Sequence, residues 1–291
     1  MRKATLLSVI CLLTALPVFA AKPAEYAAEG QSLIERGEFE KASEVLEKAV
    51  AAEPNNAQYH YLLGAAYGEM AQRASTMAKM SLAKKTRAEL ERTVALNPRH
   101  TEARFGLISY YLAAPGFLGG GEDKAVAQAN AIKAYDAIDG HRAHARIYTH
   151  QKKSDLALKE LVTGVRENPK NPKAHYALGN YYLNEKKWPE SLHEYDMALQ
   201  LDPAFMPAYL RIGQLAARSE SNYARGEEAL RKYLAYKPTL NEPGHGSTWY
   251  AIGLIQEKQG RKADAKTSFT NALKILPGDK TVIEALKRVS S

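Results

Sequence analysis

Three of the eight histidines lie close together, and histidine is a common ligand for metals and a common acid–base catalyst. His141 and His144 are three residues apart and would share one face of a helix, and His150 follows shortly after. A metal site needs a third ligand in a supported geometry, and no H-E-x-x-H pattern or carboxylate at helical spacing supplies one. The sequence therefore predicts no metal site and no cofactor.

Other catalytic groups are equally hard to assemble from this sequence. The single cysteine, Cys11, lies near the N-terminus, and no G-x-S-x-G motif is present. The glycines Gly119–Gly121 lack the Gly-Lys-Ser/Thr ending of a phosphate-binding loop, and Glu122 and Asp123 would repel an anion there. We therefore expect a protein that is not an enzyme.

The elements that would position any site are amphipathic helices, which are clearest from Pro172 to Phe205. One stripe can be read on each of two helices there: His175, Leu178, Gly179 and Tyr182 on the first, then Leu192, Tyr195, Ala198 and Leu199 on the second. Pro189 suits a first helical turn, and Pro203 favours a helix end just before it. Neither helix can bury its stripe alone, so similar units must stack on both sides.

Such units do recur along the chain. The steps from Gly30 to Gly64, from Ala145 to Gly179 and from Gly179 to Gly213 are each 34 residues. Prolines recur late in the units, at Pro54, Pro98, Pro169, Pro203, Pro238 and Pro277. This spacing of aromatic, Leu-Gly, Tyr, Ala and Pro positions resembles the tetratricopeptide repeat (TPR) of bacterial exported proteins.

The resemblance implies an all-α solenoid of about seven helix-turn-helix repeats over residues 23–277, with a capping helix over residues 278–291. Residues 1–20 are typical of a signal peptide, because Arg2 and Lys3 precede an apolar run and Val18-Phe19-Ala20 favours cleavage after Ala20. An uncleaved N-terminal anchor is the alternative. The sequence thus predicts a periplasmic or secreted protein with no stable membrane insertion once the leader is removed.

Two stretches depart from the repeat. Residues 70–87 lengthen the second unit, and their Ala, Lys, Met and Leu content predicts additional helix. Residues 113–124 form a glycine-rich loop in the third unit. We consider these stretches a candidate secondary partner surface, carried by Met77, Met80, Phe117 and Leu118; the alternative is that they only cover neighbouring helices.

In TPR proteins the first helix of each unit lines a concave groove, and the resemblance assigns inward positions here. The residues chosen as a peptide-binding groove are Arg142, Arg146, His150, Lys173, Tyr176, Asn180, Asn184 and Arg218. Arginine forks match carboxylates and asparagine can pin an extended backbone. The groove is similar to those by which some TPR domains hold the C-terminal carboxylate of a peptide.

These observations favour a non-enzymatic scaffold that binds an acidic peptide or protein partner, in envelope assembly or in maturation of an exported protein. The formal charge of +8 is spread along the chain, which indicates a solvated surface rather than a nucleic-acid site. The alternative is a glycan-binding or enzyme-associated protein of polysaccharide export or cell-wall remodelling. In that case the aromatic residues Tyr61, Phe105, Tyr176 and Tyr250 would stack on sugar rings.

Overall fold

A computed structural model of the chain describes residues 22–239 and 242–290. The predicted signal peptide, its cleavage site and Cys11 lie outside these residues. Within them the secondary structure is helical, with one short 3₁₀ turn and no strand. The predicted all-α class is therefore confirmed.

The helices are numbered in chain order. They are α1 (Pro23–Glu35), α2 (Phe39–Ala52), α3 (Ala57–Arg73), α4 (Thr76–Leu96), α5 (Thr101–Ala113), α6 (Glu122–Lys133), α7 (Ala137–His150), α8 (Ser154–Glu167), α9 (Pro172–Asn184), α10 (Trp188–Leu201), α11 (Met206–Ser219), α12 (Tyr223–Leu234), α13 (His245–Lys258), α14 (Lys262–Ile275) and α15 (Lys280–Ser290).

Consecutive helices pair, so that α1 to α14 form seven helical hairpins and α15 covers the last of them. Each hairpin packs chiefly against its neighbours in sequence, which is the arrangement of a solenoid. The core is correspondingly a chain of apolar clusters between neighbouring hairpins rather than one centre. Val282, Ala285 and Val289 of α15 are buried against α14, as expected of a cap.

Small residues at the repeat spacing allow the two helices of a hairpin to approach closely. A methyl group placed on Gly179 would lie 2.7 Å from Cε1 of Tyr195, whose side chain is fully buried. Gly213 meets Leu230 in the same way, and Gly253 meets Phe269. The 34-residue step from Gly179 to Gly213 is thus the step between two of these contacts, and the next step, from Gly213 to Gly253, is longer.

Polar residues and proline explain where several first helices begin. The side chain of Asn56 accepts hydrogen bonds from the backbone of Gln58 and Tyr59, and Asn171 does the same for Lys173. Pro172 occupies the first turn of α9, where its missing N–H costs nothing.

The additional residues 70–87 are helical, but they do not form one continuous extension. The chain turns at Ala74 and Ser75, whose backbones are extended, and the added length is shared between the end of α3 and the start of α4. Both helices therefore project beyond the ordinary hairpin length.

The glycine-rich loop is held against this projection. Gly119 has a left-handed backbone, with φ of 88°, which a glycine adopts without strain. Arg87 of α4 donates a hydrogen bond to the Leu118 carbonyl at 3.0 Å, and the Tyr110 hydroxyl donates to the same oxygen at 2.6 Å. The two departures from the repeat, which looked independent in sequence, are in direct contact.

None of the described helices combines the length and the apolar character needed to cross a bilayer.

Candidate functional site

A groove of about 630 Å³ lies between the first helices of the third, fourth and fifth hairpins. Residues of α5, α7 and α9 form its walls, with Leu161 of α8 contributing as well. The other lining residues are Thr101, Glu102, Phe105, Asp139, Arg142, Ala145, Arg146, Thr149, Ala177, Asn180, Tyr181 and Asn184.

The structure brings four of the predicted groove residues together here. Arg142 and Arg146 come from α7, and Asn180 and Asn184 come from α9. They meet because positions three, four or seven residues apart share one helix face. Their use in binding remains a prediction, but their common location agrees with the inward positions that the repeat pattern assigns.

Arg142 is the more restrained of the two arginines. Its guanidinium donates a hydrogen bond to Oδ1 of Asp139, one turn earlier on α7. It also lies over the ring of Phe105, 5.1 Å from the ring centroid. Asp139 therefore compensates much of the Arg142 charge, and the pair stiffens the groove wall.

Arg146 is different. It is exposed on the groove wall, and within the described residues it makes no ion pair or side-chain hydrogen bond. Partial desolvation by the walls, together with repulsion from Arg142, lowers the pKa of its guanidinium from the usual value. A guanidinium stays protonated despite such a shift, so Arg146 presents an uncompensated positive charge to the groove.

The asparagines add neutral hydrogen-bond donors to the same wall. The Tyr195 hydroxyl donates to Oδ1 of Asn180 at 3.0 Å. This bond fixes the amide and leaves its Nδ2 hydrogens directed away from Tyr195. Together with Arg146, the wall offers donors that match carboxylate or backbone carbonyl oxygens.

Two acidic residues of this groove, Glu102 and Asp139, were not predicted from the sequence. Both occupy the second position of their repeat, as Lys173 does, so the repeat pattern does carry a signal for them. The pKa of Glu102 is lowered, chiefly by His100, whose Nδ1 lies 3.3 Å from the carboxylate, and further by Lys173. The groove is thus polar and mixed in charge rather than uniformly basic.

The other predicted groove residues do not line this groove. Tyr176 is half-buried beside Phe205, and Nε of Arg211 donates to its hydroxyl at 3.3 Å. His150 and Lys173 are exposed on α7 and α9. Arg218 is exposed on α11, where the described residues offer it no ion pair.

The aromatic residues considered for sugar stacking are occupied by protein contacts. Tyr61 is only 9% exposed and its ring lies 4.5 Å from that of His100. Tyr250 packs against Phe269, and Phe105 lies beneath Arg142. Each of these rings therefore has a protein neighbour on at least one side.

The predicted secondary surface is largely exposed. Met77 and Phe117 are 82% and 81% exposed, and Met80 is 38% exposed. Leu118 is half-buried, and its carbonyl accepts hydrogen bonds from Arg87 and Tyr110. The turn therefore presents Phe117 outward and keeps Leu118 in place.

The clustered histidines have separate structural roles. His141 is buried, with Nδ1 at 2.7 Å from Glu160 and Nε2 at 3.2 Å from Glu167. His144 instead faces Asn130. Throughout residues 22–239 and 242–290, no three His, Cys, Asp or Glu side chains are placed to hold a metal ion.

A second cavity of about 570 Å³ lies between α3 and α5, over α4. Small residues form much of its wall, among them Gly64, Ala65, Gly68, Gly106 and Ala113. Leu90 and Tyr61 contribute apolar surface, whereas Glu69 and Glu102 contribute carboxylates. Glu102 lines both cavities, so they meet along one concave face.

Comparison with known repeat models agrees with this geometry. A model described as TPR repeat matches residues 30–70, and two models described as tetratricopeptide repeat match residues 172–205 and 210–280. The chain contains tetratricopeptide repeats. The matched residues run from within α1 into α3, over the fifth hairpin, and from within α11 to the start of α15.

Protein bimA of Emericella nidulans is 28% identical over 133 residues, covering 45% of this chain and 16% of that protein. The match thus covers about a sixth of bimA. Among solved structures, the APC/C hetero-tetramer Cut9–Hcn1 is similar with a TM-score of 0.52 and 18% identity, covering 91% of this chain and 49% of the other.

The human IFIT1 dimer solved with m7Gppp-AAAA has a TM-score of 0.54 and 21% identity, and the similarity covers 92% of this chain and 62% of that one. At these identities the likeness to both structures concerns the fold alone. The fold is therefore that of a tetratricopeptide-repeat solenoid.

Proposed function

We propose that this chain is a non-enzymatic scaffold that binds an acidic segment, or a free C-terminal carboxylate, of a protein partner in the groove between α5, α7 and α9. The observation that carries the proposal is Arg146, an uncompensated guanidinium on the wall of a 630 Å³ groove. Asn180 and Asn184 supply further donors beside it.

The groove chemistry favours an extended acidic peptide over other ligands. A carboxylate that reached Arg146 would gain a charge-assisted hydrogen bond, and such bonds contribute about 1.5 to 3 kcal/mol. Backbone carbonyls of the same peptide would accept from the asparagine amides. Neither a nucleic acid nor a cofactor is required by this chemistry.

The proposal also places the protein in the bacterial periplasm or outside the cell, in envelope assembly or maturation of an exported protein. It rests here on the leader-like residues 1–20. Fractionation of bacteria that express the full chain tests it: we expect a shortened product in the periplasm or medium, and an unprocessed cytosolic product would contradict export.

Binding is tested with a short fluorescent acidic peptide and its matched basic peptide, measured by anisotropy against the full chain. We expect the acidic peptide alone to bind, with an affinity that falls as salt rises. Arg146→Ala should weaken it about tenfold. Arg166→Ala is the matched control, because Arg166 is exposed on α8 away from the groove.

An amidated form of the acidic peptide separates the two forms of the proposal. Loss of binding on amidation would assign the free C-terminal carboxylate as the ligand, whereas retention would assign acidic side chains. If Arg146→Ala and Arg166→Ala bind the acidic peptide equally well, the groove is not the site.

A further inference from the structure

The concave face changes charge along the solenoid axis. On the side of α7 and α11, neither Arg146 nor Arg218 forms an ion pair within the described residues. On the side of α3 and α5, the described residues lining the second cavity include Glu69 and Glu102 and no Lys, Arg or His. Because His100 and Lys173 act on Glu102, the uncompensated negative charge at this end is that of Glu69, and the uncompensated positive charge at the other end includes that of Arg146.

The acidic end of the concave face, between α3 and α5, is also its more apolar end. The cavity between α3 and α5 is walled by Ala65, Gly68, Gly106 and Leu90, with Glu69 at its polar side. Glu69 accepts only a weak 3.4 Å hydrogen bond, from Gln72, and meets no cation in the part of the chain that is described. An aliphatic side chain followed by a cation would satisfy both features of this cavity.

We infer that the second cavity binds the same partner segment as the groove, and that it takes an aliphatic side chain flanked by Lys or Arg. This inference rests on the proposed function, because the acidic part of the segment occupies the groove beside Arg146. Glu102 lines both cavities, so the two are adjacent and the segment would pass from one to the other beside this residue. The partner segment therefore has a fixed direction, with acid at α7 and base at α3.

The spacing of the helices sets the length of that segment. α5 packs directly on α7, and packed helices lie about 10 Å apart, whereas the second cavity separates α3 from α5, so α3 and α7 lie at least about 20 Å apart. An extended chain advances about 3.3 Å per residue, and about six residues span this distance. The acid and the cation of the segment should therefore be about six or more residues apart.

Three synthetic peptides test the inference against the full chain. The first peptide carries an acidic end, then an aliphatic residue and a lysine at this spacing. The second peptide has the same composition, but its aliphatic residue and lysine lie on the other side of the acidic end. The third peptide has only the acidic end. We expect the first to bind about tenfold more tightly than the third. We expect the second to lose that gain.

Variants locate the gain in the second cavity. Glu69→Gln and Ala65→Leu should each remove most of the gain, the first by deleting the carboxylate and the second by filling the space. Neither should change the affinity for the acidic-only peptide. Ala127→Leu, on the exposed face of α6, is the control for added bulk, and thermal melting of every variant checks that it folds.

The outcomes separate this inference from the proposed function. If the acidic-only peptide fails to bind, or ignores Arg146→Ala, the proposed function fails first. If that peptide binds normally but the first and second peptides bind alike, or Glu69→Gln and Ala65→Leu leave the gain intact, only the inference about the second cavity is overturned.

Discussion

Asp139 holds Arg142, and this pair leaves Arg146, one turn further along α7, as the uncompensated cation of the groove. The two arginines are chemically identical and adjacent on one helix face, yet only one carries charge that a ligand can use. Charge compensation within the wall, rather than the number of arginines, therefore sets the affinity expected for an acidic segment.

Asp139→Asn should release Arg142 and raise the affinity for an acidic peptide several-fold, because a second guanidinium becomes available at a gain of about 0.5 to 1 kcal/mol. Peptide anisotropy at low salt measures the change. Asp123→Asn, which removes the same charge from the exposed first turn of α6, is the control. Equal effects of the two variants would mean that only net charge matters.

Gly179→Ala should lower the free energy of unfolding by about 1 to 3 kcal/mol, because the added methyl would overlap the buried ring of Tyr195. Denaturant titration followed by circular dichroism measures it. At Gly278 no atom lies within 4 Å of the added methyl, so Gly278→Ala should change stability by less than about 0.5 kcal/mol. A neutral Gly179→Ala would contradict the hairpin register.

Alkaline pH should destabilise the fold through its buried tyrosines. Burial, helped by Glu102, raises the pKa of Tyr61 to about 12, above the ordinary value of about 10. Below a pH of about 10 the Tyr61 phenol is protonated in the folded and the unfolded state, and its contribution to the free energy of unfolding is fully present. Between about 10 and 12 only the unfolded state ionises, so stability falls as pH rises.

Tyr61→Phe isolates this contribution. Its free energy of unfolding should fall less steeply with pH, with a difference from the parent that reaches about 2 to 3 kcal/mol near pH 12. The comparison uses slopes, because removing the hydroxyl also changes stability at neutral pH. Parallel pH curves for the two proteins would show that Tyr61 ionises equally in both states.

Arg87→Ala should loosen the loop between α5 and α6, because Leu118 loses one of its two side-chain donors. Limited proteolysis with a protease specific for aromatic residues should then cleave faster at the exposed Phe117. Lys84→Ala, one turn earlier on α4, is the control, since Lys84 is exposed and makes no contact with the loop in the described structure. Unchanged cleavage would mean that the Tyr110 hydroxyl suffices.

The repeat period made the fold readable from sequence, because each small residue at its 34-residue step marks a contact between two helices, as Gly179 does with Tyr195. The groove was readable in part for the same reason, and Arg142, Arg146, Asn180 and Asn184 do meet. The repeat pattern could not predict which charged side chains neutralise one another. The ion pair between Asp139 and Arg142 depends on their rotamers and on the distance between them, and the repeat period predicts neither.

The break within residues 70–87 had only a weak local signal. The stretch contains no proline or glycine, and the preference of serine for a helix N-terminus at Ser75 is what marks the turn. The return of the chain is imposed by packing of α4 on α3. The apolar cavity between α3 and α5 was not predicted either, because the spacing between two helices cannot be read from the sequence pattern.

The contact between Arg87 and Leu118 has a mechanical consequence. Because a solenoid is stabilised mainly by contacts between neighbours, tension applied to the ends of the chain would detach terminal hairpins one after another. The second and third hairpins are tied by an additional brace outside the repeat pattern. Under tension we therefore expect the second and third hairpins to unfold after the other hairpins.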